Sequence, residues 1–166
     1  MKKVLLLAVV FALVPLVVSA STPTCTNATF TGKVVESISP DLKGKPVEVV
    51  MQQVGNKCVR NAKIGNDTEE WTTIDDKTLV QKEFGPDGKV ATTYTALYEN
   101  GKYNIKCDAA RKNCDAGIDS RNNWTLTLSP DTNTFTYTVY GVDSAKKADP
   151  NAPILKRHEF VLHKKQ

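Results

Sequence analysis

Any covalent, metal or acid–base chemistry in this chain would have to come from four cysteines, two histidines and scattered carboxylates. Cys25, Cys58, Cys107 and Cys114 contain no C-x-x-C pair. Neither a thiol oxidoreductase nor a zinc site is therefore indicated, and no metal or cofactor is expected. An even set of cysteines in an oxidising compartment points to two disulfides, for which three connectivities exist. Six residues separate Cys107 from Cys114. That compact loop favours pairing Cys107 with Cys114 and Cys25 with Cys58. His158 and His163 lie five apart on one predicted strand and so face opposite ways, which speaks against a shared metal ion. They read as surface residues beside a basic terminus. Glu69-Glu70 and Asp75-Asp76 are adjacent pairs that also point to opposite faces. They read as surface and turn residues. No Gly-x-Ser-x-Gly elbow, H-E-x-x-H helix or phosphate loop is present. The chain is accordingly read as no enzyme. A hydrolase would need a cleft with two close carboxylates of perturbed pKa.

The elements that position these groups show a period of two. Phe30, Gly32, Val34, Glu36 and Ile38 share one face of a predicted strand. Val47, Val49 and Met51 alternate with Glu48, Val50 and Gln52. The same alternation runs through Val90, Thr92, Tyr94, Ala96 and Tyr98, through Trp124, Leu126 and Leu128, and through Phe135, Tyr137 and Val139. Threonine fills the opposite faces. This is the pattern of half-buried antiparallel strands. Turn signals separate the runs: Gly85-Pro86-Asp87-Gly88, Asn100-Gly101 and Ser129-Pro130-Asp131-Thr132-Asn133. Strands are predicted near 28–38, 46–54, 57–64, 69–74, 78–84, 89–98, 102–107, 123–129, 134–141 and 155–163. A helical turn is expected within 108–118. The one long loop, 142–153, is polar and carries Pro150 and Pro153. Ten strands joined by short loops predict an all-β, antiparallel up-and-down meander. It closes most economically into a barrel, because closure removes the edges; a two-sheet β-sandwich is the alternative.

These hairpins resemble those of lipocalin-like (calycin-type) small secreted bacterial β-barrel proteins. The resemblance rests on Trp124-Thr125-Leu126-Thr127-Leu128, Ser129-Pro130-Asp131, Thr134-Phe135-Thr136-Tyr137, Ile74-Asp75-Asp76-Lys77-Thr78 and Gly85-Pro86-Asp87-Gly88-Lys89. It covers the second half of the chain. Where lipocalins carry Gly-x-Trp, the first strand reads Gly32-Lys33-Val34. The resemblance implies a barrel and a small apolar ligand, and assigns no catalytic residue.

Met1–Lys3, the apolar stretch 4–18 and Val18-Ser19-Ala20 read as a secretory signal peptide over 1–20. The apolar run is shorter than the ~20 residues a spanning helix needs. The rest, 21–166, is expected as a single soluble β-barrel domain, periplasmic or secreted, with no transmembrane anchor after cleavage. The chain of 166 residues carries 22 basic and 18 acidic side chains. Without Lys2 and Lys3 the balance is 20 to 18, net +2, which speaks against nucleic acid as a partner.

Two features remain as functional candidates. Aromatic residues on the predicted inward faces either fill the interior or line a pocket. Among them Trp71, Tyr94, Tyr98, Tyr103, Trp124 and Tyr137 are the candidate ligand-binding residues. They imply a carrier for a small apolar or amphiphilic molecule. The second feature is the basic stretch Lys156-Arg157-His158 with Lys164-Lys165, and the Lys106, Arg111, Lys112 and Arg121 group around the Cys107/Cys114 loop. It implies the alternative, an envelope interaction protein (an inhibitor or assembly factor) that meets a protein or anionic polymer through surface loops.

Overall fold

The computed structural model describes residues 25–105, 122–142, 144–146 and 149–166. Ten antiparallel strands run in chain order: β1 (Ala28–Ser37), β2 (Pro46–Val54), β3 (Lys57–Ile64), β4 (Asp67–Thr73), β5 (Thr78–Phe84), β6 (Val90–Glu99), β7 (Lys102–Ile105), β8 (Asn123–Leu128), β9 (Thr134–Val142) and β10 (Ile154–Lys164). Each pairs with its sequence neighbours, and β10 pairs with β1, so the sheet is a closed barrel. The up-and-down barrel is thus the fold, and the sandwich is not. The expected strand positions hold to within a residue or two. A short 3-10 turn, Ser144–Lys146, lies in the connection to β10.

Local chemistry explains the hairpins. Asn100 and Gly101 both take positive φ, 53° and 80°, as the tight turn between β6 and β7 requires. Asp75 accepts hydrogen bonds from the backbone N–H groups of Lys77 (2.8 Å) and Thr78 (2.7 Å), which reverses the chain between β4 and β5. The closing seam depends on Gly32. A Cβ there would lie 2.5 Å from the Val161 carbonyl oxygen and 2.9 Å from Leu162 Cδ2, so only glycine lets β1 and β10 meet this closely.

The period-two pattern breaks at bulges. One falls between Val34 and Glu36 on β1, and another between Lys156 and His158 on β10. The first turns Glu36 and Ile38 outward, against the expectation that they continue the Phe30 face; Ile38 is 50 % exposed. The second leaves Arg157 without a register partner on β9.

The lower end of the barrel carries the 55–56, 74–77, 100–101 and 129–133 turns. The Cys25–Cys58 disulfide staples the N-terminal segment to β3 there. The expected Cys107/Cys114 pairing and helical turn over 108–118 lie outside the described residues, as does the 1–20 signal segment. The Cys25–Cys58 link spans 33 residues, and a closure of that length stabilises by about 3–4 kcal/mol in chain-entropy terms. Cys25→Ser with Cys58→Ser is therefore expected to lower the unfolding free energy by about 2–4 kcal/mol, read from urea melts. An unchanged midpoint would show that the link ties down a segment already held in place.

Candidate functional site

The barrel interior is divided in two. Its lower part is a plug of aromatic and aliphatic side chains around one buried cation, Arg60, which donates to the Thr73 hydroxyl at 2.9 Å. Trp71 stacks on Tyr137 (centroids 4.2 Å, 11°) and tilts against Phe135 (6.5 Å). Phe135 meets Phe30 (5.8 Å), and Tyr137 meets Phe160 (5.3 Å). Phe30, Val49, Met51, Trp71, Leu79 and Leu162 are each fully buried. Among the described residues these side chains fill the lower half of the interior.

Above the plug lies a cavity of about 250 Å³. Tyr137 and Phe160 form its floor. Trp124, Val139, Ile64 and Ile105 give apolar wall; Asp67, Glu69, Gln81, Glu83, Tyr94 and Asn122 give polar wall. Leu42, Arg157 and His158 complete the lining. Gln81 and Tyr94 stand at mid-strand, whereas the three carboxylates and Asn122 come from the upper end of a strand or just beyond one. This follows from alternate directions in a meander: β4 enters with Asp67 and Glu69 where β5 leaves with Glu83.

Glu69 is the centre of the polar wall. It stands directly opposite Glu83 in the β4–β5 register, both pointing inward. Trp71 Nε1 donates to its Oε2 at 2.7 Å and Gln81 Nε2 at 3.1 Å. The Tyr137 hydroxyl in turn donates to Gln81 Oε1 (3.4 Å), which links floor to wall. Burial still pushes the Glu69 carboxyl up to about 7; the Trp71 donor opposes the rise, and Glu83 and Asp67 add to it. Glu69 keeps some contact with cavity solvent but is surrounded by protein. Glu83 is also raised, chiefly by burial, although the Tyr94 hydroxyl donates to it at 3.3 Å. Tyr94 is pushed up to about 12 by burial and by Glu83.

The rim is set by the β10 bulge. Arg157 runs across it, lining the cavity and also an outer groove formed with Ile38, Gly141 and Leu155. Gly141 makes room for this: a Cβ there would collide with Asn122 Oδ1 and lie 2.8 Å from Arg157 Cδ. His158 Nδ1 is 2.9 Å from the Ser37 hydroxyl. Burial and the Arg157 charge lower its pKa, so at neutral pH the ring is uncharged.

The six candidate aromatics divide accordingly. Tyr94, Trp124 and Tyr137 line the cavity. Trp71 lies beneath it in the plug. Tyr98 and Tyr103 pack together at the lower end (5.0 Å), and Tyr98 edges a separate surface groove beside Asp75 and Lys77. Two expectations need correction. His158 is not a surface residue but a cavity-lining one, because it shares the inward face with Phe160; His163 does face outward, exposed. Glu69 is not a surface residue either; only its neighbour Glu70 points out, to Lys82 at 2.9 Å.

Sequence reasoning missed Glu69, Gln81 and Glu83. Their signal was the turn at Asp75-Asp76-Lys77. Counting outward from Asp76 places Trp71 opposite Gln81 and Glu69 opposite Glu83, as observed. The basic terminus is not one continuous positive patch. Lys156 contacts Glu36 (3.2 Å) and Glu159 (3.1 Å), while Arg157 and His158 turn to the rim and cavity. Lys106, Arg111, Lys112 and Arg121 lie outside the described residues. Among the described residues no three His, Cys, Asp or Glu side chains come together as a metal site, and no helix is long and apolar enough to cross a membrane.

No family model, no curated protein and no solved structure matches this chain.

Proposed function

We propose that this protein is an exported, lipocalin-like carrier that holds one small amphiphilic molecule in the upper half of its barrel. The observation that carries this reading is the 250 Å³ cavity itself, with aromatic floor and wall on one side and hydrogen-bonding groups on the other. A wholly apolar ligand fits less well, because it would strip water from Glu69, Glu83 and Gln81 without replacing their partners. Export is supported by the signal-like segment 1–20 and by the Cys25–Cys58 disulfide.

Native mass spectrometry of protein purified from its own cells tests this. The expected result is a mass excess that disappears on denaturation. It should be absent from a Val139→Phe variant, whose ring would project into the cavity. A bare mass in the folded wild-type protein, together with no uptake of small amphiphiles added back, would sink the carrier reading.

One observation favours a second reading. Glu69 and Glu83 are two close carboxyls of raised pKa in one cavity, the arrangement a hydrolase would need. Acid–base work is best served by partners whose pKa values are pushed apart, one held ionised and one protonated. Here the same burial raises both, which favours binding. Recovery of the bound molecule chemically altered after incubation would reverse that preference.

A further inference from the structure

The geometry points to a protonated organic amine with a flat apolar body as the molecule this cavity takes. The inference deepens the carrier reading and rests on it. Three carboxylate residues, Asp67, Glu69 and Glu83, line the cavity. Among the described lining residues the one permanent cation is Arg157, which the β10 bulge carries to the rim. Among the described residues none of the three carboxylates forms an ion pair, although Arg157 also lines the cavity with its buried Nε unpartnered. An anionic ligand would add to the repulsion between Glu69 and Glu83, and a neutral one would leave it in place. An ammonium group relieves it and supplies hydrogen-bond donors.

Asn122 supports this independently. It is 6 % exposed, lines the same cavity, and its Oδ1 has no hydrogen-bond partner. A buried acceptor left open calls for a donor, which an ammonium provides. Tyr94, Trp124 and Tyr137 line the cavity and supply aromatic surface suited to a flat apolar body and a nearby cation. With no metal-ligand cluster among the described residues, an organic cation suits the carboxylates better than an inorganic one.

The test uses the oxidised protein without its signal segment and three probes of similar shape: 2-phenylethylamine, 2-phenylethanol and 3-phenylpropionate. Affinities are read by isothermal titration calorimetry. At pH 7.5 the amine is expected to bind about tenfold or more tighter than the alcohol, and the acid more weakly than either. Amine affinity should fall several-fold from pH 7.5 to 5.5 as Glu69 takes up a proton. Glu83 contributes in the same direction, and a positive charge on His158 would oppose the amine further; Asp67, Tyr94, Tyr137 and Arg157 are the other titratable groups lining the cavity. Glu69→Gln should lose about tenfold in amine affinity and keep alcohol affinity within about twofold, which also shows that the variant is folded. Equal binding of the three probes, or amine binding that survives Glu69→Gln, overturns the amine inference and leaves the carrier reading standing. No binding of any probe overturns both.

Discussion

Replacing Trp71 with alanine is expected to cost about 3–5 kcal/mol of stability, seen as a fall of about 10 °C or more in Tm. The indole is fully buried at the middle of the plug. It stacks on Tyr137 at 4.2 Å and contacts Phe135, so its loss opens a void between two strands on opposite sides of the barrel. A closed barrel cannot collapse around such a void without bending the hydrogen-bonded wall, which places the cost at the upper end of the usual range. The indole also donates the 2.7 Å hydrogen bond to Glu69. Trp71→Phe separates the two contributions. It keeps most of the buried area but removes the donor, and should lose only about 1–2 kcal/mol. Urea melts of both variants check this. A Trp71→Ala loss under about 1 kcal/mol would mean that the plug is loosely packed.

Glu69→Gln is expected to act in the opposite direction. In the folded protein Glu69 is raised from its ordinary 4.5 to about 7, with burial as the main cause. The folded state therefore binds more protons than the unfolded state between those two pH values. Stability falls as pH rises through that window, and the destabilisation is complete above pH 7. A glutamine stays neutral throughout and still offers an acceptor oxygen to Trp71. With allowance for cavity solvent around the carboxyl, the variant should be more stable by ~2 kcal/mol at pH 8 and by almost nothing at pH 4. A shallower decline with rising pH should persist in the variant, because burial also raises Glu83. Urea midpoints at pH 4, 6 and 8 would show this, and parallel curves for the two proteins would show that Glu69 is better solvated than its surroundings imply. A gain in stability joined to a loss of ligand would mark Glu69 as a group retained at the expense of the fold, as binding sites commonly are.

The two effects belong to two halves of one interior. The plug fills the lower half of the barrel, and its top surface is the floor of the cavity. Tyr137 belongs to both: it stacks on Trp71 below and, through Gln81, reaches Glu69 above. A change in the plug should therefore be felt in the cavity.

Much of the fold was legible because strand pairing in a meander is local. Alternation located the ten strands, and the Asn100-Gly101 and Asp75 turns fixed which strands neighbour each other. Alternation also placed Tyr94, Trp124 and Tyr137 on the inner face and sent His158 and His163 to opposite faces. The Cys25–Cys58 pairing followed from loop length alone. Three things were decided only by the closed structure. Closure is a contact between β1 and β10, which are far apart in the chain, and it depends on the bare backbone at Gly32. The bulges turn Glu36 and Ile38 outward and carry Arg157 to the rim, and each inserts a residue that a periodic pattern cannot foresee. Finally, alternation assigns a residue to a face but not to a height along the barrel axis. Height separates Tyr103, packed at the lower end, from Tyr94 at the cavity, and it turns Glu69, which the local sequence marks as an ordinary surface acid, into the centre of the site.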